Sequence, residues 1–366
     1  MEKIEEKHAL VLLDYSIKIK SGEKLCIRGS TVALPLIRAL YKYALQRGAF
    51  PQMNVIDEPS KEILLKYGKK EQIQYIPANE YKLINDIDAL IWIIGSENTK
   101  YLTNIKSEKI KLHTQGRGKY LKILFDRMAK NEIRSCGTQF PTQAEAQEAN
   151  MSLEEYREFV YSSCMLHKKD PINAWKEVSK KQKRICDRLN KKKILHIISK
   201  DTDLTLSTKG RKWINCDGRE NFPDGEVFTG PVENSVNGHI RFSFPGIYAN
   251  REIEDIQLTF EKGKVVDAKA GKGEDLLKKV LDIDPGARYV GEVAIGTNNN
   301  IKRFTRNMLF DEKIGGTAHL ALGRSFPESG GKNVSAIHWD MLCDMRKAGK
   351  IFADGELIYE RGKFLI

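Results

Sequence analysis

The sequence predicts an α/β N-terminal domain with a parallel sheet, followed by an α+β, β-rich C-terminal domain. Three observations carry this prediction. In the first half, short apolar strand-like runs alternate with amphipathic helical segments, the pattern of a parallel sheet crossed by helices. Of the 28 glycines, 20 lie after residue 200, so the second half is rich in turns. There, short strand-like segments are separated by hairpin signals rather than by helices.

Taken in order, Lys24–Arg28 reads as a first strand. Leu34–Leu45 carries apolar residues at helical spacing, and Gly48 can end that helix. Gln52–Ile56 is a second strand. Ala89–Ile94 is continuously apolar, as a strand covered on both faces would be. Tyr120–Phe125 reads as a fourth. Ser152 and Glu155 form a capping box before Tyr156 and Phe159. Asp170-Pro171 opens a helix whose apolar residues Ile172, Trp175, Val178, Ile185 and Leu189 fall largely on one face. This helix joins the two halves, so residues 1–192 form the α/β domain with its helical linker and residues 193–366 the β-rich domain. Strands are expected at Ile194–Ile198, Ile240–Phe244, Ile256–Phe260 and Val265–Ala270. Hairpin turns are expected at Lys262-Gly263 and Asp354-Gly355.

Composition narrows the class. The chain has 366 residues, enough for two domains, with 41% hydrophobic and 30% charged residues, values of a globular protein. The longest apolar run, Ala89–Gly95, is far short of the roughly 18–20 residues that span a bilayer. The N-terminal Met1-Glu2-Lys3-Ile4-Glu5-Glu6-Lys7 lacks the apolar core of a signal peptide, which predicts a cytoplasmic location and no membrane partner. The six cysteines are widely spaced with no Cys-x-x-Cys pair, which argues against a zinc ribbon or a disulfide scaffold. The net charge of +12 is spread along the chain. Its lysine clusters, at 180–184 and 191–193, lie on or beside a helical segment and read as a solvated face. No interleaving of aromatic and basic residues of the RNA-binding kind occurs, so nucleic acid is not the expected partner.

Acids and histidines gather in four segments of the second half. Asn221-Phe222-Pro223-Asp224-Gly225 is a turn that delivers Glu226 to the start of an apolar strand. Gly291-Glu292-Val293 opens a second short strand. His319 stands in Thr317–Gly323, and His338 and Asp340 stand in Ser335–Met341. Alternate residues on a strand share a face, so His338 and Asp340 can reach one ion. Carboxylates and imidazoles suit zinc, cobalt or manganese. Two glutamates, an aspartate and two histidines exceed the needs of one open zinc site and match a two-metal hydrolytic centre. Each segment alone reads more readily as ordinary structure: an exposed Glu after a turn, a core histidine, a surface His–Asp pair.

At these four segments, read as Asn-Phe-Pro-Asp-Gly-Glu-Val-Phe-Thr, Gly-Glu-Val-Ala, His-Leu-Ala-Leu-Gly and His-Trp-Asp-Met, the chain resembles the thermophilic-type metalloaminopeptidases. This is the leucyl-aminopeptidase-like family of aminopeptidase T and aminopeptidase S. The motifs occur in the family's order and at similar spacing. The resemblance implies that the β-rich domain is catalytic and binds two divalent metal ions (zinc, cobalt, manganese or magnesium). It implies Glu226, Glu292, His319, His338 and Asp340 as metal ligands, with Glu292 as the bridging or catalytic carboxylate, and Glu312 as a further carboxylate near the metals. It implies removal of N-terminal amino acids from peptides with a free N-terminus, by a homodimer. One position departs from the family: Phe326 stands where a tyrosine, seven residues after the histidine of His-x-Ala-x-Gly, supplies a hydroxyl to the tetrahedral intermediate. Tyr248 and Arg324 are candidates to substitute for it. The alternatives are a metal-dependent hydrolase of another amide or small molecule, a catalytically weak metal-binding homologue and, behind both, a basic nucleic-acid-binding protein.

Overall fold

A computed structural model describes residues 3–249 and 251–365. They form two compact units, 1–172 with 218–223, and 173–217 with 224–366. The chain thus returns a short segment to the first unit after the second has begun, a crossing that the boundary expected at residue 192 does not contain.

The first unit holds a five-stranded sheet in the order Phe50–Ile56, Lys24–Ser30, Ala89–Ile94, Arg134–Gln139, Asn221–Phe222. All of its pairings are parallel. The helix Leu34–Gln46 connects the first two strands and stops where Gly48 takes φ +72°. The Ala89–Ile94 strand is buried along most of its length, but Trp92 stays 39% exposed, so it is not covered on both faces throughout.

Tyr120–Phe125 is not a strand but part of the helix Gly118–Ala129. Tyr120 and Leu124, four residues apart, are buried in one cluster, while Phe125 is 57% exposed. The apolar run therefore divides into an inner and an outer face at helical period. The fourth parallel strand is instead Arg134–Gln139, whose Arg-Ser-Cys-Gly-Thr-Gln sequence carries almost no apolar signal although its last four residues are buried.

The capping box at Ser152 is present, with Ser152 Oγ accepting from Glu155 N–H and Glu155 accepting from Ser152 N–H. The helix that follows Asp170 runs Pro171–Leu189. In the second unit, two antiparallel sheets enclose a large core. The eight-stranded sheet runs Lys264–Lys269, Gln257–Glu261, Asn237–Arg241, Thr202–Ser207, Ile194–Ser199, Lys350–Ala353, Glu356–Glu360, Lys363–Phe364. The strand expected at Ile240–Phe244 is displaced to Asn237–Arg241, because Asn237–His239 pair with Asp203–Thr205 and only Gly238–Arg241 pair with Gln257–Phe260. Both expected hairpin turns occur, with Lys262-Gly263 and Asp354-Gly355 at positive φ as a two-residue turn requires. The five-stranded sheet runs His338–Asp344, Thr317–Gly323, Val290–Gly296, Glu226–Thr229, Ile214–Cys216.

Candidate metal centre

Four strands of this second sheet carry the acids and histidines singled out in the sequence. Glu292, Ala321 and Asp340 stand side by side across three strands. Ala294 sits opposite His319, Gly323 opposite His338, and Gly296 opposite Glu226. Side chains alternate between faces of a strand, so all five groups project from one face. The same-face positions between them, Ala294, Gly296, Ala321 and Gly323, are small and leave room above the sheet. The other face, with Val227, Val293, Ile295, Leu320, Leu322, Trp339 and Met341, belongs to the hydrophobic core. A bulge between Val290 and Glu292 resets the alternation, so that Val290 and Val293 both point to the core while Glu292 points away from it. Gly291 is required there: a Cβ would lie 2.4 Å from the Gly323 carbonyl oxygen.

The five groups converge closely. His319 Nε2 lies 3.2 Å from Glu292 Oε1, 3.4 Å from Glu226 Oε2 and 3.9 Å from Asp340 Oδ1. His338 Nε2 lies 3.7 Å from Glu292 Oε2 and 3.6 Å from Asp340 Oδ1. His338 Nδ1 donates to the Arg324 carbonyl at 2.7 Å, which fixes the ring and turns Nε2 toward the acids. Two three-residue groups have the compactness of cation sites, Glu226–Glu292–His319 and Glu292–His338–Asp340, and Glu292 is common to both.

The electrostatics are those of a charge-poor enclosure packed with acids. Burial pushes the Glu226 and Glu292 carboxyls well above the usual carboxylate range, and neighbouring carboxylates add to the rise. Asp340 is raised for the same reasons. Burial opposes the charged form of His338, but Asp340 and Glu292 outweigh it and raise its pKa. Glu226 Oε2, Asp340 Oδ1 and His319 Nδ1 are buried without a hydrogen-bond partner. Leaving such atoms unpaired is costly. Oxygen and imidazole donors arranged in this way are what zinc-like and other divalent ions take, so the residues fit the metal ions expected from the sequence.

Glu312 lies outside the two groups but borders them. It is ion-paired to Lys313, and its charge acts on Glu226, Glu292 and Asp340. Lys313 was not singled out in the sequence. It is fully buried, with Nζ 3.7 Å from Glu226 Oε1. Burial opposes its charge, but Glu312, Glu226 and Asp224 overcome that and hold its pKa well above the ordinary lysine value. The family resemblance marks its neighbour Glu312 but not the lysine. The available signal was its position between Phe310 and Ile314, both buried. Gln182 was also missed. Its buried amide donates to Asn215 Oδ1 and to the carbonyls of Cys216 and Glu226, and it accepts from the Thr297 hydroxyl, anchoring the Glu226 strand to the helix Pro171–Leu189.

Phe326 stands beside the cluster, its ring meeting His338 edge-on at 4.8 Å between centroids and Phe228 at 5.5 Å. Of the two candidates to supply a hydroxyl or cation in its place, Tyr248 packs on Trp339, 5.7 Å between rings. Arg324 has an exposed side chain and reaches His338 through its backbone carbonyl.

The profile of the family described as thermophilic metalloprotease (M29) matches residues 1–364. Aminopeptidase AmpS of Bacillus subtilis (strain 168) is 28% identical over 362 residues, spanning 90% of this chain and 86% of the relative. Aminopeptidase T of Thermus aquaticus is 32% identical over 236 residues, 57% of this chain and 58% of the relative. Among solved structures, wild-type AmpT from Thermus thermophilus shares the fold with a TM-score of 0.87 at 23% identity, covering 99% of both chains.

Proposed function

The chain belongs to the thermophilic metalloprotease (M29) family, and from that premise we propose that it is a metal-dependent aminopeptidase whose two divalent ions are held by Glu226, Glu292, His319, His338 and Asp340. The observation that carries this reading is the placement of Glu292. Its Oε1 faces His319 and its Oε2 faces His338, so one carboxylate is shared by two ligand groups. The relatives' names, aminopeptidase AmpS and aminopeptidase T, supply the substrate class.

Bound there, divalent ions lower the pKa of water and polarise a peptide carbonyl. The chain's own groups do the rest. Glu292, set between the two histidines, takes a proton from the attacking water and returns it to the leaving amine. The Arg324 carbonyl holds the His338 ring in place while this happens. Glu312, at the edge of the cluster with 18% side-chain exposure, is placed to meet the free α-ammonium of a peptide and so restrict cleavage to chain ends. Phe326 contributes an apolar edge and no hydroxyl, which favours, as a second reading, the hydrolysis of an amide other than a peptide bond. The family resemblance carries with it a homodimer. Among the described residues no helix is long and apolar enough to cross a membrane.

The test is hydrolysis of a panel of aminoacyl-anilides by chelator-treated protein with and without added divalent ions. N-acetylated anilides and Glu292→Gln serve as controls. Metal-dependent release from free-amine substrates alone, reduced ~10²–10⁴-fold in the variant, is expected. Equal turnover of acetylated substrates, or activity that survives in Glu292→Gln, would reject the reading.

A further inference from the structure

A third group of potential ligands adjoins the two already described. Cys216, Asp224 and Glu226 bring a thiol and two carboxylates within 4.8 Å of one another. Cys216 pairs with Glu226 across neighbouring strands. The chain is pinned where it re-enters this sheet: Gly225 N–H donates to the Cys216 carbonyl at 3.2 Å, and the Asn298 side-chain amide donates to the Asp224 carbonyl at 2.8 Å. By composition this group could take a divalent ion of its own, since a thiolate with carboxylates is a good zinc or cobalt donor set.

A cation stands at the Glu226 edge of this group. Lys313 is fully buried, its Nζ lies 3.7 Å from Glu226 Oε1, and its ammonium pairs with Glu312. Asp224 and Cys216 stand next to the Glu226 carboxylate in the same group. Its backbone is fixed on both sides, the carbonyl accepting from Asn298 N–H at 3.1 Å and the N–H donating to Phe310 at 3.0 Å. The side chain therefore enters the cluster from a segment tied to the same Asn298 that clamps Asp224.

We propose that Lys313 is a fixed internal cation that closes the Cys216–Asp224–Glu226 group from its Glu226 side and so confines divalent ions to the two groups that share Glu292. The inference rests on the ligand assignment made above. Lys313 is a positioning residue. It neutralises the outer side of Glu226, so that Oε2 of that carboxylate stays available on the His319 side. Without the ammonium, the group regains its affinity for a metal ion, and the Cys216 thiol gives up its proton to solvent as the sulfur–metal bond forms.

Cobalt(II) titration of the chelator-treated full-length protein tests this, read by stoichiometry and by the near-ultraviolet sulfur-to-cobalt charge-transfer band. The wild type is expected to saturate with no sulfur band even in excess cobalt; a band there overturns the proposal. Lys313→Met should take one more equivalent than the wild type and develop the band, and Lys313→Met with Cys216→Ser should lose both. Lys313→Arg, which keeps the cation, should behave as the wild type. Should Lys313→Met fail to fold, Lys313→Gln removes the same charge with a different shape. A folded neutral variant with wild-type stoichiometry and no band overturns the proposal. A wild type that takes up no cobalt at all would instead sink the ligand assignment.

Discussion

The ring of Phe326 lies edge-on to the imidazole of His338, 4.8 Å between centroids and at 64°. An apolar ring thus occupies the flank of a proposed metal ligand where the resemblance implies a tyrosine. Phe offers no hydrogen bond to a developing oxyanion, and losing one such donor costs ~10²–10³ in rate. Phe326→Tyr is expected to raise kcat on aminoacyl-anilides by at least about tenfold, with cobalt stoichiometry unchanged. An unchanged or lower kcat in a fully metallated variant would show that this position no longer serves peptide hydrolysis.

Ala321 stands between Glu292 and Asp340 in the sheet register, and its small side chain leaves the space above it to the acids. Ala321→Val adds two methyl groups beneath the cluster. Overpacking of this kind costs ~1–3 kcal/mol, and metal affinity should fall by about tenfold or more, since ~1.4 kcal/mol is a factor of ten. Calorimetric titration with zinc gives the number; wild-type affinity in the variant would contradict the placement of the ligands on this face.

Burial and mutual repulsion raise the carboxyl pKa values of Glu226, Glu292 and Asp340. A carboxyl with a higher pKa folded than unfolded holds more protons in the native state, so its contribution to stability falls as pH rises above the ordinary carboxylate range. Bound divalent ions remove this penalty, because ligands must be deprotonated to bind them. The gain in Tm on adding saturating metal is therefore expected to grow from about pH 5 to about pH 8. Comparing loaded and metal-free protein at each pH cancels the groups far from the site, including His8, whose pKa burial lowers to about 3. A gain that shrinks with pH would count against these three carboxylates as the ligands.

Gln182 satisfies two backbone carbonyls, those of Cys216 and Glu226, that lie beneath the cluster. Gln182→Leu keeps the volume and removes the amide from both carbonyls, from Asn215 Oδ1 and from the Thr297 hydroxyl, leaving the Cys216 carbonyl only Gly225 N–H. Each unsatisfied buried group costs ~1–3 kcal/mol, so the urea midpoint should drop clearly and metal affinity should weaken with it. If stability falls and affinity does not, the contact supports the fold without setting the position of Glu226.

Much of the candidate site was legible because strand chemistry repeats every two residues. His319-Leu320-Ala321-Leu322-Gly323 and His338-Trp339-Asp340-Met341 each alternate a core residue with a ligand or a small spacer, and the pairing register places them as that alternation predicts. The parallel sheet of the first unit was legible from Lys24–Ser30 and Ala89–Ile94, whose apolar runs are largely buried, and from Phe50–Ile56, an edge strand whose apolar side chains stay half-buried to exposed. The misread fourth strand shows where local pattern stops being informative. Tyr120–Phe125 is as apolar as a strand, and only its packing, with Tyr120 and Leu124 inward and Phe125 outward, makes it helical. Arg134–Gln139 is polar in composition yet buried, because neighbouring strands cover it on both edges.

The sequence by itself determined which residue types could hold a metal and that they lie on short strands, since motif order and two-residue alternation are local properties. It could not determine that Glu292 turns one oxygen to each histidine, that Gln182 reaches under Glu226 from a helix more than forty residues earlier, or that Lys313 brings its ammonium to Glu226 and Glu312. Those relations join segments far apart in the chain, and they arise only when the sheet register and the core that fixes it bring the segments together. A buried ammonium and a solvated one have the same letter in the sequence; the carboxylates folded around Lys313 distinguish them.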